Sequence, residues 1–214
     1  WPSPPGGVDP YARMVKSFGL DNTTEMSITD LASAIPCKLD FIAFDACLMG
    51  GIEVAYQLKD SVNYVISSPA EVLTTSFPYG TMMQPLFNGD YVAAAKAYND
   101  YYASQTGDMQ SATISVVKCS ALADVATQAK LIFDANRDKI QALNLSKIQP
   151  YFRYDKHWFY DINDFMVNLV GESAASAFTA ALRNAVVAKY TTGKMIDLTI
   201  LSSKFSGLST YINN

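Results

Sequence analysis

Charge is scarce in this chain. Only 17% of its 214 residues are Asp, Glu, Lys or Arg, against 50% hydrophobic and 12% aromatic. A disordered chain has the opposite balance, so a folded domain is implied. The 16 Lys and Arg are outnumbered by 20 Asp and Glu and are scattered singly. The basic stripe of a nucleic-acid binder is therefore missing. Histidine occurs once, as His157, and cysteine three times, as Cys37, Cys47 and Cys119. Three widely spaced cysteines, without a C-x-x-C pair or a neighbouring His, exclude a disulfide scaffold and argue against structural zinc. No apolar run approaches the ~18 residues of a membrane-spanning helix. No segment has the form of a signal peptide, and repeats and low-complexity tracts are absent.

What is present suffices for one sizeable core, since a chain of this length buries roughly 70% of its unfolded surface. Residues 1–26 read as a linker or processing loop. They open on Trp1-Pro2-Ser3-Pro4-Pro5-Gly6-Gly7 with no initiator Met, the pattern of a cleavage product or of a boundary within a longer chain. Residues 27–140 read as the sheet core and 141–214 as C-terminal helices and strands. Ser27 and Asp30 form a capping pair for a short helix to about Ala34. Strands are predicted at 39–44, 62–67 and 112–117, where apolar and aromatic residues run together. Helices are predicted at 50–59, 91–105 behind Asp90, and 120–133. Residues 69–89 read as a long loop, 142–161 as irregular aromatic chain and 172–188 as a helix. Strands follow at 195–201 and 207–212. The alternation gives an α/β fold with a mainly parallel sheet covered on both faces.

One segment carries the chemistry: Phe44-Asp45-Ala46-Cys47-Leu48-Met49-Gly50-Gly51. It places a cysteine at the carboxyl end of a predicted central strand, where open α/β sheets bind ligands. The helix expected next would favour the thiolate, the nucleophilic form of cysteine. The glycines allow close backbone approach. The bland alternative is a buried structural Cys. Asp45, two residues earlier, shares a strand face with Cys47 if the strand continues. It reads either as a cap for the next helix or as a pocket acid awaiting a cation. A cysteine nucleophile needs a base, usually His. Within the chain that leaves a Cys47–His157 dyad, although His157 sits in the aromatic stretch, where a packed His is commoner. Cys37 and Cys119 read as structural, and the aromatics of 151–160 as core or interface.

Phe44-Asp45-Ala46-Cys47-Leu48-Met49, with Ile52-Glu53-Val54-Ala55-Tyr56 behind it, resembles the nucleophile segment of clostripain-like cysteine peptidases. So do Ser67-Ser68-Pro69-Ala70-Glu71, Phe77-Pro78-Tyr79 and Ser206-Gly207-Leu208-Ser209-Thr210-Tyr211. The likeness is dense over about 1–120 and thin over 121–190. It implies a caspase-like α/β/α sandwich, incomplete here at its amino-terminal side. It also implies an endopeptidase cleaving after Arg or Lys through a His–Cys dyad with Cys47 as nucleophile. Asp45 would form the acidic substrate pocket, with Ser68 and Glu71 in the segment that walls it. Thr74-Thr75-Ser76 supplies none of the further acid some members carry in that loop. The family's His precedes the Cys in a His-Gly-x-Gly-Trp-like segment, and Trp1 resembles that Trp. The His is therefore expected upstream of residue 1, on a second fragment of the same precursor. Arg13 and Lys16 are the candidate self-cleavage positions. The expected partners are a peptide or protein substrate and that upstream fragment, not nucleic acid or a membrane. Export from a bacterium is implied by the resemblance. No cofactor is expected. Some relatives use calcium, but no Asp/Glu spacing here is of the EF-hand type. The competing readings are an inactive caspase-fold binding module and a thiol acyltransferase using Cys47 and His157.

Overall fold

The computed structural model describes residues 18–21, 24–154 and 157–212. Arg13, Lys16 and Trp1 therefore lie outside the described residues. Two short strands, β1 (Phe18–Asp21) and β2 (Thr24–Met26), form an antiparallel hairpin. Helix α1 (Ile28–Ala34) opens as expected, with the Ser27 side chain accepting from the Asp30 amide. There follow β3 (Leu39–Ala43), α2 (Ile52–Leu58), β4 (Val62–Ser67), α3 (Tyr79–Phe87), α4 (Tyr91–Ala103) and β5 (Thr113–Lys118). The second half holds α5 (Leu122–Ile140), β6 (Phe159–Asp161), α6 (Ile162–Val170), α7 (Glu172–Ala185) and β7 (Val186–Thr191). It closes with the short strands β8 (Lys194–Met195), β9 (Leu198–Thr199) and β10 (Ser209–Tyr211).

The central sheet has the order β3-β4-β5-β7. Its strands alternate their side chains between two helical layers, as the two-residue period requires. Val65 of β4 and Val117 of β5 face a core shared with α2, α5, α6 and α7. Ile66, Ile114 and Val116 face the other way, onto α3 and α4. The result is the α/β/α sandwich anticipated from sequence. A third apolar cluster takes in the segments that follow β3 and β4, with Leu48, Ala70, Tyr151, Phe152, Phe159 and Phe205 buried in it. The aromatics of 151–160 thus belong largely to a core.

Strand direction departs from the expectation of a mainly parallel sheet. Only β3 and β4 run parallel, while β4–β5 and β5–β7 are antiparallel. The cause is the segment read as one long loop. Its second half is α3, and two successive helices, α3 and α4, return the chain to the edge it left. Ser67 at the end of β4 accordingly pairs with Ser115 near the start of β5. Pro78, Gly80 and Pro85 hide α3 from a propensity reading, yet Met82 and Leu86 are buried against α4 and hold it. A further departure lies at 172–188. The helix stops at Ala185, and Val186 begins the outer strand β7, which β-branched and aromatic side chains favour. The sheet therefore draws its fourth strand from the C-terminal part and is not confined to 27–140.

Candidate active site

The link from β3 to α2 is bent by its neighbours. After the strand ends at Ala43, the segment from Phe44 to Gly50 runs beside the exit of β4. The Phe44 amide donates to Ile66 O (2.9 Å), Leu48 to Ala70 O (2.8 Å) and Gly50 to Ser68 O (2.7 Å). Gly50 passes so close that a Cβ there would lie 2.4 Å from the Pro69 nitrogen. Leu48, directly after the cysteine, has φ of 62°, a left-handed conformation costing a side-chain-bearing residue about 1–2 kcal/mol. Burial of its side chain and the bond to Ala70 offset that strain. From the other side the last strand clamps the loop: Ser209 N donates to Gly50 O (2.9 Å), and Thr210 Oγ1 and Tyr211 N donate to Glu53 Oε1.

This bend half-buries Cys47, whereas Cys119 is buried and Cys37 exposed. Burial raises the Cys119 thiol to about 11, which fits an inert core cysteine. Cys37 does not sit in the core. The Cys47 sulfur lies against the main chain of Val72: it accepts from Val72 N at 3.3 Å and donates to Val72 O at 3.5 Å. The helix expected from residue 50 starts at Ile52, behind the cap residue Gly51, and the Val72 amide is a hydrogen-bond donor facing the sulfur.

Asp45 is no helix cap, since α2 has no side-chain cap. Its Oδ2 accepts from Tyr79 Oη at 2.7 Å and from Phe77 N at 3.3 Å, while Oδ1 is buried with no hydrogen-bond partner among the described residues. The bond to Asp45, ahead of burial, pushes the Tyr79 phenol up to about 12, so it stays a neutral donor. Tyr98 lies fully buried in the α4 layer, stacked edge-on to Phe77 at 5.2 Å, and its hydroxyl too has no partner.

Ser68 and Glu71 both have hydrogen-bond partners within the chain. Ser68 is 1% exposed, and its hydroxyl bonds Thr113 Oγ1 (2.7 Å) and the Ala70 amide, bracing the loop from below. Glu71 is committed within the chain: its Oε2 accepts from Arg153 Nε at 2.7 Å. His157 Nδ1 bonds Phe152 O at 2.6 Å within the aromatic segment. Among the described residues no group of three or more His, Cys, Asp or Glu side chains is placed to hold a metal ion, and no helix is long and apolar enough to cross a membrane.

The sequence profile of the clostripain family, peptidase C11, matches residues 8–205. The chain belongs to the clostripain family. Its similarity to solved structures extends over nearly its whole length. A clostripain from Bacteroides thetaiotaomicron in complex with the peptide inhibitor BTN-VLTK-AOMK is 30% identical, with a TM-score of 0.79 over 90% of this chain and 88% of that one. A secreted C11 cysteine protease from the same organism, iotapain, is 30% identical with a TM-score of 0.81. An inactive zymogen C11 protease from Parabacteroides distasonis is 32% identical with a TM-score of 0.80. The clostripain-family chain covers 90% and 95% of itself in these last two matches, but only 56% and 59% of those proteins. No curated protein sequence matches it.

The family and these relatives are cysteine proteases, hydrolases with the caspase-like fold. Sequence reading missed Val72, Tyr79 as a partner of Asp45, and Arg153. Tyr79 was within reach, because Phe77-Pro78-Tyr79 belongs to the family resemblance. Val72 acts through its main chain, which no side-chain pattern announces.

Proposed function

We propose that this clostripain-family chain is the nucleophile-bearing part of a cysteine endopeptidase that cleaves after Lys or Arg. The carrying observation is the pairing of a half-buried Cys47 with Asp45 two residues before it, a carboxylate with one oxygen left unpartnered. A buried acceptor without a donor is costly, and a substrate's cationic side chain supplies both the donor and the charge. The peptide of the inhibitor bound to the B. thetaiotaomicron clostripain ends in a basic residue, in keeping with this pocket. Thr74, Thr75 and Ser76 add no second acid, so Asp45 carries the preference.

The general base is an imidazole on a segment of the precursor outside these 214 residues. Among the described residues β3 borders the sheet, so an additional strand has a ladder edge beside Cys47. In the reaction the imidazole takes the thiol proton and the thiolate attacks the carbonyl carbon after the basic residue. The imidazolium protonates the departing amine, and water then hydrolyses the thioester. The Cys47 amide is the chain's own donor to the oxyanion. Arg13 and Lys16 are the positions for self-cleavage, and the protein is exported, as its secreted relatives are. The test compares hydrolysis of Arg, Lys and Ala reporter peptides by the full-length protein and by Cys47→Ala. Basic reporters cleaved by the parent alone support the proposal. Full activity in the Ala variant overturns it.

A further inference from the structure

Glu71 and Val72 are consecutive, and each makes one decisive contact. Val72 presents its peptide N–H and C=O to the Cys47 sulfur. Glu71 reaches across to Arg153 in the aromatic segment before β6, with both side chains largely shielded, at 12% and 21% exposure. The Arg153 guanidinium is itself held in place. It lies over the Tyr154 ring at 4.3 Å, and its Nη2 donates to Tyr154 Oη at 2.6 Å. Asp197 adds a further favourable charge. The backbone behind it is anchored by Tyr151 N bonding Phe159 O, and by Phe152 stacking on Trp158 at 5.4 Å. The loop that carries Val72 is braced at its start by Ser68 on Thr113. At its far end Tyr102 Oη donates to Ser76 O. Between these braces the Glu71–Arg153 pair ties the loop to the opposite wall.

We infer that Arg153 is a positioning residue for the nucleophile: through Glu71 it fixes the Val72 peptide against the Cys47 sulfur. This rests on Cys47 being the nucleophile, as proposed above. The two Val72 contacts serve the two forms of the sulfur. The thiol donates its proton to the Val72 carbonyl, and the thiolate accepts from the Val72 amide. Hydrogen bonding to the charged form favours it. A loop that drifts by an ångström loses that amide, and the sulfur becomes harder to ionise.

The experiment uses the full-length protein and its Arg153→Ala, Arg153→Lys and Glu71→Gln variants. Alkylation of Cys47 by iodoacetamide is followed across a pH series by mass spectrometry, alongside kcat, KM and melting temperature. Arg153→Ala is expected to move the alkylation midpoint up by about one pH unit and to lower kcat about tenfold with KM little changed. Glu71→Gln moves the midpoint the same way by less. Arg153→Lys brings the midpoint part of the way back toward the parent, since an ammonium can still make the single bond to Glu71 but not the stacked contact with Tyr154. Direct electrostatics from Arg153 would give the opposite sign for Glu71→Gln, because unpairing the guanidinium favours the thiolate. Opposite shifts, or a midpoint unmoved in both variants, overturn the inference. If Arg153→Ala fails to fold, the isosteric Glu71→Gln decides alone. Absence of Cys47 alkylation in the parent would instead strike the underlying peptidase reading.

Discussion

Replacing Asp45 by Asn separates the pocket acid from the structural acid. The carboxylate is held to the fold through one oxygen, Oδ2, which accepts from Tyr79 Oη and Phe77 N. An amide oxygen in the same place accepts both. The loss to folding is then the weakening of two bonds, about 1 kcal/mol, or roughly 2–4 °C in a domain of this size. Catalysis loses more. A hydrogen bond to a charged group is worth about 1.5–3 kcal/mol, which is roughly 10- to 150-fold in kcat/KM. Turnover of Arg and Lys reporters by the full-length protein should fall by that factor, and the slow hydrolysis of an Ala reporter should not. The assay is kcat/KM on the three reporters beside a melting curve. An equal fall on basic and neutral reporters would refute the reasoning. So would a melting temperature lowered by more than about 10 °C with selectivity intact, which would make Asp45 a fold residue.

Other outcomes follow from the same geometry. Gly50→Ala should destabilise by at least about 2 kcal/mol, because its Cβ meets Pro69 and Ser68 backbone within 2.8 Å. Gly51→Ala, whose nearest neighbour is a Glu53 carboxylate oxygen at 3.2 Å and not backbone, should cost far less. Equal denaturation midpoints for the two would contradict the packing described. Tyr98→Phe removes a buried hydroxyl without a partner and should be neutral or stabilising by up to about 1 kcal/mol. A clear loss in urea titration would show that the hydroxyl is satisfied. Asp161 is fully buried, and burial raises its carboxyl from 3.8 to about 6 despite bonds from Tyr151, Asp164 and Ser206. With the folded pKa above the unfolded one, the native state binds the extra proton between those values. Stability of the parent relative to Asp161→Asn should fall as pH rises from about 4 to 6, by up to roughly 3 kcal/mol, and level off above. A difference that grows with pH would mean the ionised form is the favoured one.

Much of the fold was legible because burial writes simple patterns. The runs at Leu39–Ala43, Val62–Ser67 and Thr113–Lys118 are strands where expected, and the caps at Ser27 and Asp90 open α1 and α4. Strand direction was not legible, because a fully buried strand such as β5 reads alike in either orientation. Helix α3 was hidden by prolines and a glycine whose cost is met by tertiary packing. In the site, the motif around Cys47 and Asp45 was visible. The roles of Glu71 and Ser68 were not, because each depends on a partner far along the chain: Arg153 for one, Thr113 for the other. The bend at Leu48 had no signal at all, since a leucine carries the positive φ that glycine would have advertised.

In the proposed peptidase the Cys47 sulfur is a reachable nucleophile beside an acid that selects a basic side chain. Intact-mass and peptide-mapping mass spectrometry of the full-length protein, after incubation with a Lys-terminated peptidyl acyloxymethyl ketone, tests it most directly. One adduct is expected, on Cys47, formed much faster than with the Ala-terminated analogue. An adduct on Cys37, or equal labelling of Cys47 by both reagents, would contradict it.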